Sequence, residues 1–403
     1  MTNPKERRRV ALLIETSSGY GRLVLSGVIR YMRKRDEWTV FSQERVLNSE
    51  APSWIYDWDG DGVISRITTP RLTAAMSEKG IPLLDLSDRH EAQSIGIPVV
   101  RSDDEAIGRT AADHLLERGY RKFAYCGYSG EAWSDRRGKA FVSHLQASGR
   151  PHCEFYSSPL FGTENFDQER DKIATWLQSL PKPIGLMACN DVRGQQVTAA
   201  CSAVNLAIPE DVAVIGVDND TLVCQLCSAP LSSVIPNAEQ IGYLAAEKLS
   251  NLMNGEKEPE LTTTVPPLGI VTRRSTDMIA VADKDVATAL RFIRENACKG
   301  ITVSDIASRI SISRSTLERR MRESIDRTPQ QQIRHVQISR VRELLAESDE
   351  SLSQIANLCG FEHPEYMHVV FKREVGVTPG DFRRSTRPHN TRMVVAQGGK
   401  ADG

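Results

Sequence analysis

Ile306-Ala307-Ser308-Arg309-Ile310-Ser311-Ile312-Ser313, followed by Leu317-Glu318-Arg319-Arg320-Met321 and then Thr328-Pro329, returns as Ile355-Ala356-Asn357-Leu358-Cys359-Gly360-Phe361, Met367-His368-Val369-Val370-Phe371 and Thr378-Pro379. The offset is 49 residues for Ile306/Ile355 and 50 for Met321/Phe371, so the second copy carries one extra residue in its turn. This is an internal repeat whose unit is a pair of short helices around a polar turn. In the first copy Val303, Ile306 and Ala307 make one apolar face, the chain turns at residues 311–313, and Ser313 is placed to cap a helix whose Leu317 and Met321 point inward. Arg314, Ser315, Glu318, Arg319 and Arg322 are left outside. In the second copy Gly360 supplies the turn through its freedom at positive φ. Met367, Val370 and Phe371 form the buried stripe there, and His363, Glu365, Tyr366 and Val369 the outer face. Between the copies, Pro329–Glu347 reads as one long helix with Ile333, Val336, Val341, Leu344 and Leu345 on its apolar side. Such a helix would hold two outward helices at a fixed spacing, and paired helices one turn of duplex apart reach successive major grooves of DNA.

Arginines on an amphipathic helix can equally be its solvated face, and for Arg314 or Arg322 taken singly both readings stand. The tandem as a whole favours DNA, because an ordinary helical bundle has no need of the same turn chemistry twice. Residues 285–384 hold 16 Lys+Arg against 14 Asp+Glu, so affinity for a polyanion has to come from the placement of basic groups and not from a large overall field.

The repeat resembles the DNA-binding domain of AraC-type transcriptional regulators, two helix-turn-helix units joined by a linker helix. The similarity covers residues 286–384 and is most specific over residues 351–356, Gly360-Phe361, Phe371-Lys372, Gly376-Val377-Thr378-Pro379 and Phe382-Arg383. What it implies is a base- and phosphate-reading face at Ser315, Glu318 and Arg319 in the first unit and at Pro364, Glu365, Tyr366 and Val369 in the second. The chain departs from the family pattern at Val369, where many members are basic, and at Asp326, where many have glycine.

At 403 residues the chain is long enough for two or three domains, and a 40% hydrophobic content provides the core. A net charge of −1 excludes a generally basic nucleic-acid coat. No run of about 18 apolar residues occurs, and no signal-peptide core follows the basic start at Lys5, so the sequence reads as cytoplasmic, neither membrane-spanning nor secreted. Eight scattered cysteines read as buried thiols in a reducing compartment. Cys224-Gln225-Leu226-Cys227 has no partner pair at zinc spacing and is not read as a metal site.

Toward the N-terminus, Val10-Ala11-Leu12-Leu13-Ile14 reads as a buried strand that stops at the polar residues 15–18, after which residues 23–29 read as a helix. Further apolar runs at residues 62–64, 81–85, 99–100, 123–126, 185–188 and 212–217 alternate with helical segments. Continuous apolar strands of this kind argue parallel sheets covered on both faces, and some 265 residues exceed one such sheet, so two lobes are expected. Ligands of doubly wound sheets sit beyond the carboxyl ends of the strands. Those ends carry Asp85, Asn190-Asp191 and Asp218-Asn219-Asp220. Carboxylates accept hydroxyl hydrogen bonds in pairs and an arginine donates a fixed fork, which suits a polyol, and the face of Trp133 could pack on sugar C–H groups. An aspartate beyond a strand also caps helices, and Asp103, Asp104 and Asp211 are read that way. Gly19-Tyr20-Gly21 lacks the third glycine of a dinucleotide fingerprint, since position 24 is Val24. The eight histidines are dispersed, without the nucleophile–base or metal constellation an enzyme needs.

Residues 10–275 resemble the LacI/GalR-type sugar-sensing core, itself similar to periplasmic sugar-binding proteins. The resemblance rests on Leu84-Asp85-Leu86-Ser87-Asp88, Ala111-Ala112-Asp113-His114-Leu115, Gly119-Tyr120-Arg121-Lys122, Arg137-Gly138-Lys139-Ala140-Phe141, Cys189-Asn190-Asp191, Ile208-Pro209-Glu210-Asp211 through Val217-Asp218, and Leu231-Ser232-Ser233-Val234. It implies a two-lobed clamp with three hinge crossings and sugar contacts at Arg137, Asn190, Asp191 and Asp218, with Asp85, Tyr20 and Trp133 as further contacts. A LacI-like sensor ahead of an AraC-type domain is the layout of the xylose-operon regulators. Residues 175–181, 274–277, 295–301 and 313–318 are locally similar to that family. The expected organisation is a basic tail at 1–9, a sensor at 10–275, a linker at 276–284, the double helix-turn-helix domain at 285–386 and a disordered tail at 387–403. The resemblance implies a homodimer that binds operator DNA, meets RNA polymerase, takes D-xylose as effector, needs no cofactor or metal and is not an enzyme. Another pentose or hexose as effector, a sensor without DNA binding, and a sugar-modifying enzyme are the alternatives.

Overall fold

Val10, Ala11, Leu12 and Leu13 are all buried although consecutive side chains point to opposite faces, so their strand has no solvent side. The computed structural model describes residues 7–35, 38–46, 50–87, 96–160, 166–256, 260–277, 281 and 283–386, and the chain divides into two compact units, residues 1–280 and 281–403.

The first unit runs β1 (Arg8–Leu13), α1 (Gly19–Arg35), β2 (Trp38–Ser42), β3 (Gly62–Ser65), α2 (Pro70–Glu78), β4 (Leu83–Asp85), β5 (Val99–Ser102), α3 (Asp104–Glu117), β6 (Phe123–Ser129), α4 (Ala132–Ala147), β7 (Cys153–Pro159), α5 (Phe166–Ser179), β8 (Ile184–Ala188), α6 (Asp191–Ala203), β9 (Val212–Val217), α7 (Thr221–Leu226), β10 (Ser232–Ile235), α8 (Ala238–Met253), β11 (Thr262–Val265) and β12 (Gly269–Val271). These strands make two six-stranded sheets, in the orders β11-β5-β4-β3-β1-β2 and β12-β10-β9-β8-β6-β7. Every pair is parallel except β12 on β10. The chain crosses between lobes after β5, after β10 and after β11. The two-lobed α/β reading therefore holds, with three crossings.

Each sheet is packed on both faces. Val10, Leu12, Ile64 and Leu84 meet Val24, Val28, Ile241 and Leu249 of α1 and α8, while Ala11, Leu13 and Val63 meet Leu72 and Met76 of α2. The second sheet has matching layers built on Leu186 and Val214 and on Met187 and Ile215. Helices α1 and α8 touch backbone to backbone: a Cβ added to Gly27 would lie 1.9 Å from the Glu239 carbonyl oxygen, and one on Gly242 would lie 1.9 Å from that of Val24.

Several local expectations are corrected. Arg8 and Arg9 belong to β1, where Arg9 donates its backbone N–H to Asp61 and pairs with Asp59 at 2.8 Å, so the basic tail does not extend to residue 9. Asp103 does cap α3, accepting from the Ala106 N–H. Asp104 instead pairs with Arg136 and Arg137, and Asp211 accepts from the Ala207 N–H in the turn before β9. Strands β2, β7, β11 and β12 were not among the apolar runs because their burial is mixed or partial.

The second unit is helical: α9 (Lys284–Asn296), α10 (Val303–Arg309), α11 (Arg314–Ile325), α12 (Pro329–Glu347), α13 (Leu352–Leu358), α14 (Pro364–Val375) and α15 (Pro379–Thr386). Polar side chains cap most of the starts, whereas α14 begins at Pro364 without a side-chain cap. Thr302, Thr328 and Ser351 form capping boxes with Asp305, Gln331 and Gln354, and Ser313 accepts from the Thr316 N–H. Residues 310–313 separate α10 from α11 and residues 359–363 separate α13 from α14, which is the extra residue seen in the repeat. Left-handed backbone falls at matching places, Ser311 (φ 57°) with Gly360 (φ 73°), and Asp326 (φ 52°) with Gly376 (φ 85°).

On α12, Ile333, Val341 and Leu345 are buried as expected, but Val336 is only half-buried and Gln337 is buried instead. The Gln337 amide donates to the carbonyls of Ala297 and Gly360, so a polar side chain ties the second turn into the core. Of the segment expected as linker, Thr276 is fully buried in the first unit and Asp283 caps α9 in the second. Residues 278–280 and 282, and the tail at 387–403, lie outside the described residues, as do residues 1–6.

A candidate ligand cavity and a candidate nucleic-acid face

The carboxyl ends of the parallel strands in the first unit converge from both lobes on one cavity of about 330 Å3. From one side come Glu15 and Ser18 after β1, Tyr20 on α1, Arg66 after β3, Ser87 after β4 and Ser102 on β5. From the other come Asp104, Trp133, Arg137, Asn190, Asp191, Asp218 and Asp220. Of the seven residues singled out in the sequence, all line this cavity except Asp85. That carboxylate is fully buried and accepts from the Ser87 N–H at 2.8 Å, shaping a lining loop from beneath.

Most charges here are already matched. Glu15 is ion-paired with Arg66, whose guanidinium lies 4.6 Å from the centre of the Tyr20 ring. The Tyr20 hydroxyl shares a hydrogen bond with Ser102 at 3.1 Å, and burial raises its pKa. Arg137 donates to Asp104 at 2.8 Å and to the Cys189 carbonyl at 2.7 Å, with its guanidinium 5.0 Å from the Trp133 ring centre. Burial works against the Arg137 charge, but Asp104 and Asp218 outweigh it and hold the pKa above its ordinary value. The Trp133 indole donates to Glu131 at 3.0 Å.

The three second-lobe groups after β8 and β9 do different work. Asn190 caps α6, accepting from the Arg193 N–H at 2.9 Å. Both oxygens of Asp191 are committed, one to the Ser233 hydroxyl at 2.7 Å and the other to the Asp220 N–H at 2.8 Å and the Cys224 thiol. Asp191 thus braces the loop after β9. Asp218 sits on that loop at φ 108°, a backbone conformation non-glycine residues adopt only when the surroundings enforce it. Among the described residues, no hydrogen-bond donor reaches its carboxylate. Burial raises the pKa of both Asp191 and Asp218; Asp218 adds to the rise at Asp191, whereas Arg137 and Arg66 oppose it at Asp218. Asp220 caps α7 and also accepts the Gly19 N–H of the opposite lobe at 3.2 Å, a direct bond across the cleft.

Glu15, Arg66 and Ser102 were not singled out in the sequence, Asp220 was noted only as a strand-end group beside Asp218, and Asp104 was read as a helix cap. The signal was present for Glu15 and Arg66, each the first charged residue past a buried strand. For Asp104 it was not, since a helix-capping context hides an ion pair with α4.

In the second unit, Arg314, Ser315, Arg319 and Arg322 of α11 are exposed and Glu318 is half-buried. Arg314 and Arg319 are bridged to Glu318 and Glu323 at 3.1 and 2.9 Å, whereas Arg320 turns away to Asp283 and Asp285, both at 2.7 Å. On α14, His363, Glu365, Tyr366 and Val369 are exposed and Pro364 occupies the first helical position. Arg334 of α12 lies 4.9 Å from the Tyr366 ring centre and donates to its hydroxyl at 3.1 Å.

Three family models match successive parts of the chain: a XylR N-terminal domain over residues 9–102, a periplasmic binding protein-like domain over residues 112–276 and a helix-turn-helix domain over residues 306–385. The xylose operon regulatory protein of Escherichia coli (strain K12) is 32% identical over 384 residues, which cover 94% of this chain and 97% of that protein. The chain belongs to the xylose operon regulatory protein family. The family member of Haemophilus influenzae is 30% identical over 381 residues, covering 93% and 98%. A solved structure of the xylose-binding transcription activator xylR is similar with a TM-score of 0.79 at 31% identity, covering 95% of this chain and 99% of that one. This family member is a transcription regulator built as a two-lobed sensor with a C-terminal helix-turn-helix domain.

Proposed function

We propose that the effector of this regulator is D-xylose, bound in the cavity between the two lobes, and that the protein is a cytoplasmic homodimer that activates pentose-catabolism genes together with RNA polymerase and carries out no catalysis. One observation carries the sugar reading. Among the described lining residues, Arg66 and Arg137 are matched by Glu15 and Asp104, while no donor reaches the carboxylate of Asp218, which leaves an open acceptor pair facing the cavity. That is the complement of a neutral molecule rich in hydroxyl donors, and it disfavours a phosphorylated or acidic sugar. Tyr20, Trp133, Arg137 and Asn190 complete the contacts, with Asp191 and Asp85 supporting them from behind.

A sugar touching both lobes favours the closed clamp by its differential affinity for that state; a hundredfold preference is worth about 2.7 kcal/mol. On DNA, Ser315, Glu318 and Arg319 of α11 are the base- and phosphate-reading positions, with Arg314 and Arg322 on flanking phosphates. His363, Pro364, Glu365 and Tyr366 face the second half-site. Calorimetric titration of the full chain with D-xylose, L-arabinose and D-ribose, without and with a promoter fragment, is the test. D-xylose should bind most tightly and should strengthen promoter binding. Tighter binding of another pentose would reassign the effector, and promoter affinity indifferent to every sugar would overturn the reading.

A further inference from the structure

The loop that presents Asp218 is tied by side chains to the segment through which the chain leaves the sensor. After β9 the backbone is left-handed at Asp218 and again at Asn219 (φ 50°). Three bonds hold this turn to β10 and α6: the Asn219 N–H donates to the Ser233 hydroxyl at 2.9 Å, that hydroxyl donates to Asp191 at 2.7 Å, and Asp191 accepts the Asp220 N–H at 2.8 Å. The Asn219 side chain points the other way. Its carbonyl oxygen accepts from the Arg273 guanidinium at 2.7 Å, and the same guanidinium donates to the Leu231 carbonyl at 2.9 Å.

Arg273 is two residues beyond β12, which the chain enters on its last passage between lobes. Its backbone exchanges two hydrogen bonds with the Ser232 hydroxyl, at 2.8 and 2.9 Å. The next residues are held as firmly: the Ser275 hydroxyl donates to the Val214 carbonyl, while the Thr276 hydroxyl meets Ser232 and His114, each at 2.7 Å, and its carbonyl accepts from Arg118 at 2.7 Å. The exit strap therefore has a fixed footing, and Arg273 is its one side-chain reach toward the cavity loop among these bonds. A change in the turn at Asp218 cannot leave Asn219 in place, because the two are consecutive residues in enforced conformations.

We propose that Asn219 and Arg273 are positioning residues: their hydrogen bond passes the state of the Asp218 turn to the segment 273–276 that leads out of the sensor. The inference rests on the reading of the cavity as the effector site and adds how that site regulates. Neither side chain is among the sugar contacts assigned above, so sugar affinity and sugar response become separable. Coupling between two sites is a ratio of affinities, which makes it directly measurable.

The experiment uses the full chain and three variants. Asn219→Gly keeps a residue at ease with φ 50° and removes the side chain; Asn219→Asp keeps the acceptor; Arg273→Met removes the donor and leaves the backbone bonds to Ser232. For each, D-xylose affinity is measured by calorimetry, and promoter affinity with and without saturating D-xylose by fluorescence anisotropy. Expected are D-xylose affinities within about threefold of the parent, and a sugar-dependent ratio of promoter affinities that collapses to about one in Asn219→Gly and Arg273→Met but survives in Asn219→Asp. Parent-like ratios in the first two variants would overturn the proposal. So would a loss of D-xylose binding as large as the loss of response, which would make the bond a mere support of the cavity, or a failure of Asn219→Asp to restore coupling. A parent whose own ratio is one overturns the effector reading itself and this link with it, and that is decided before any variant is compared.

Discussion

Replacing Asp218 by Asn changes one oxygen of the cavity's open acceptor pair into a donor and leaves the shape intact. The parent carboxylate offers both oxygens to sugar hydroxyls; the amide offers one and turns its NH2 toward a group that also donates. A hydrogen bond to a charged partner contributes about 2–3 kcal/mol, so D-xylose should bind roughly 30- to 150-fold more weakly. Folding should not suffer, because asparagine tolerates positive φ and the exchange removes a charge that burial disfavours. The pH dependence carries a sign as well. Burial lifts the folded-state pKa of Asp218 above its unfolded value, so the native state takes up this proton first on acidification. Its ionised form therefore burdens the empty protein at neutral pH, and the burden is relieved as pH falls through the raised pKa. Sugar hydroxyls need the ionised form, so D-xylose affinity should fall over that same interval in the parent and stay flat in Asp218→Asn. Calorimetry at several pH values, with thermal melts to confirm folding, makes the measurement. A variant that melts like the parent and binds D-xylose within about threefold of it would refute the assignment of Asp218 as the principal acceptor.

Three further outcomes follow from the geometry. Burial, helped by Arg118, pushes the His114 pKa down to about 3, so the folded protein keeps this ring neutral; stability should hold above the ordinary histidine value of 6.5 and decline as pH falls below it. That decline is up to about 1.4 kcal/mol per pH unit, and denaturant melts of His114→Asn between neutrality and pH 5 should lack this part of it. Gly360→Ala should cost about 2 kcal/mol or more, since its Cβ would meet the Cys298 carbonyl at 2.7 Å as well as the strain of φ 73°, whereas Gly376→Ala, with open space at φ 85°, should cost about 1 kcal/mol. Equal shifts in thermal unfolding would show that the close approach carries no weight. Arg322→Ala, on an exposed position of α11, should weaken promoter binding and reduce the steepness of log affinity against log salt by about one; an unchanged slope would take Arg322 off the phosphates.

Much of this architecture was legible where the chain repeats itself or where burial is two-sided. The duplicated turn placed the start of α11 at its Ser313 cap and the long helix at Pro329–Glu347, because cap and helix-start chemistry is local. Buried runs such as residues 212–217 read directly as inner strands. Edge strands did not: Glu154, Phe155 and Ser157 on β7 face solvent or half-face it and break the apolar pattern. The cavity was legible where an acidic residue follows a strand without another task, as at Asp218. It was misread where a nearby element claims the side chain, as Ser87 does for Asp85 and Arg137 for Asp104. Those partners lie 2 and 33 residues away, and only the fold decides which one is in reach. Gln337 marks the same limit: it stands four residues from both Ile333 and Val341, on the apolar face, but its polarity kept it out of the expected core, and two carbonyls hold it there.

The duplicated reader is not symmetric in its softness. Both copies bend the backbone to the left at the same two corners, yet the later copy fills them with Gly360 and Gly376 while the earlier one uses Ser311 and Asp326. A side chain at such a corner holds back about 1 kcal/mol that glycine would release. On heating, the front half of the tandem should thus fray before the rear half.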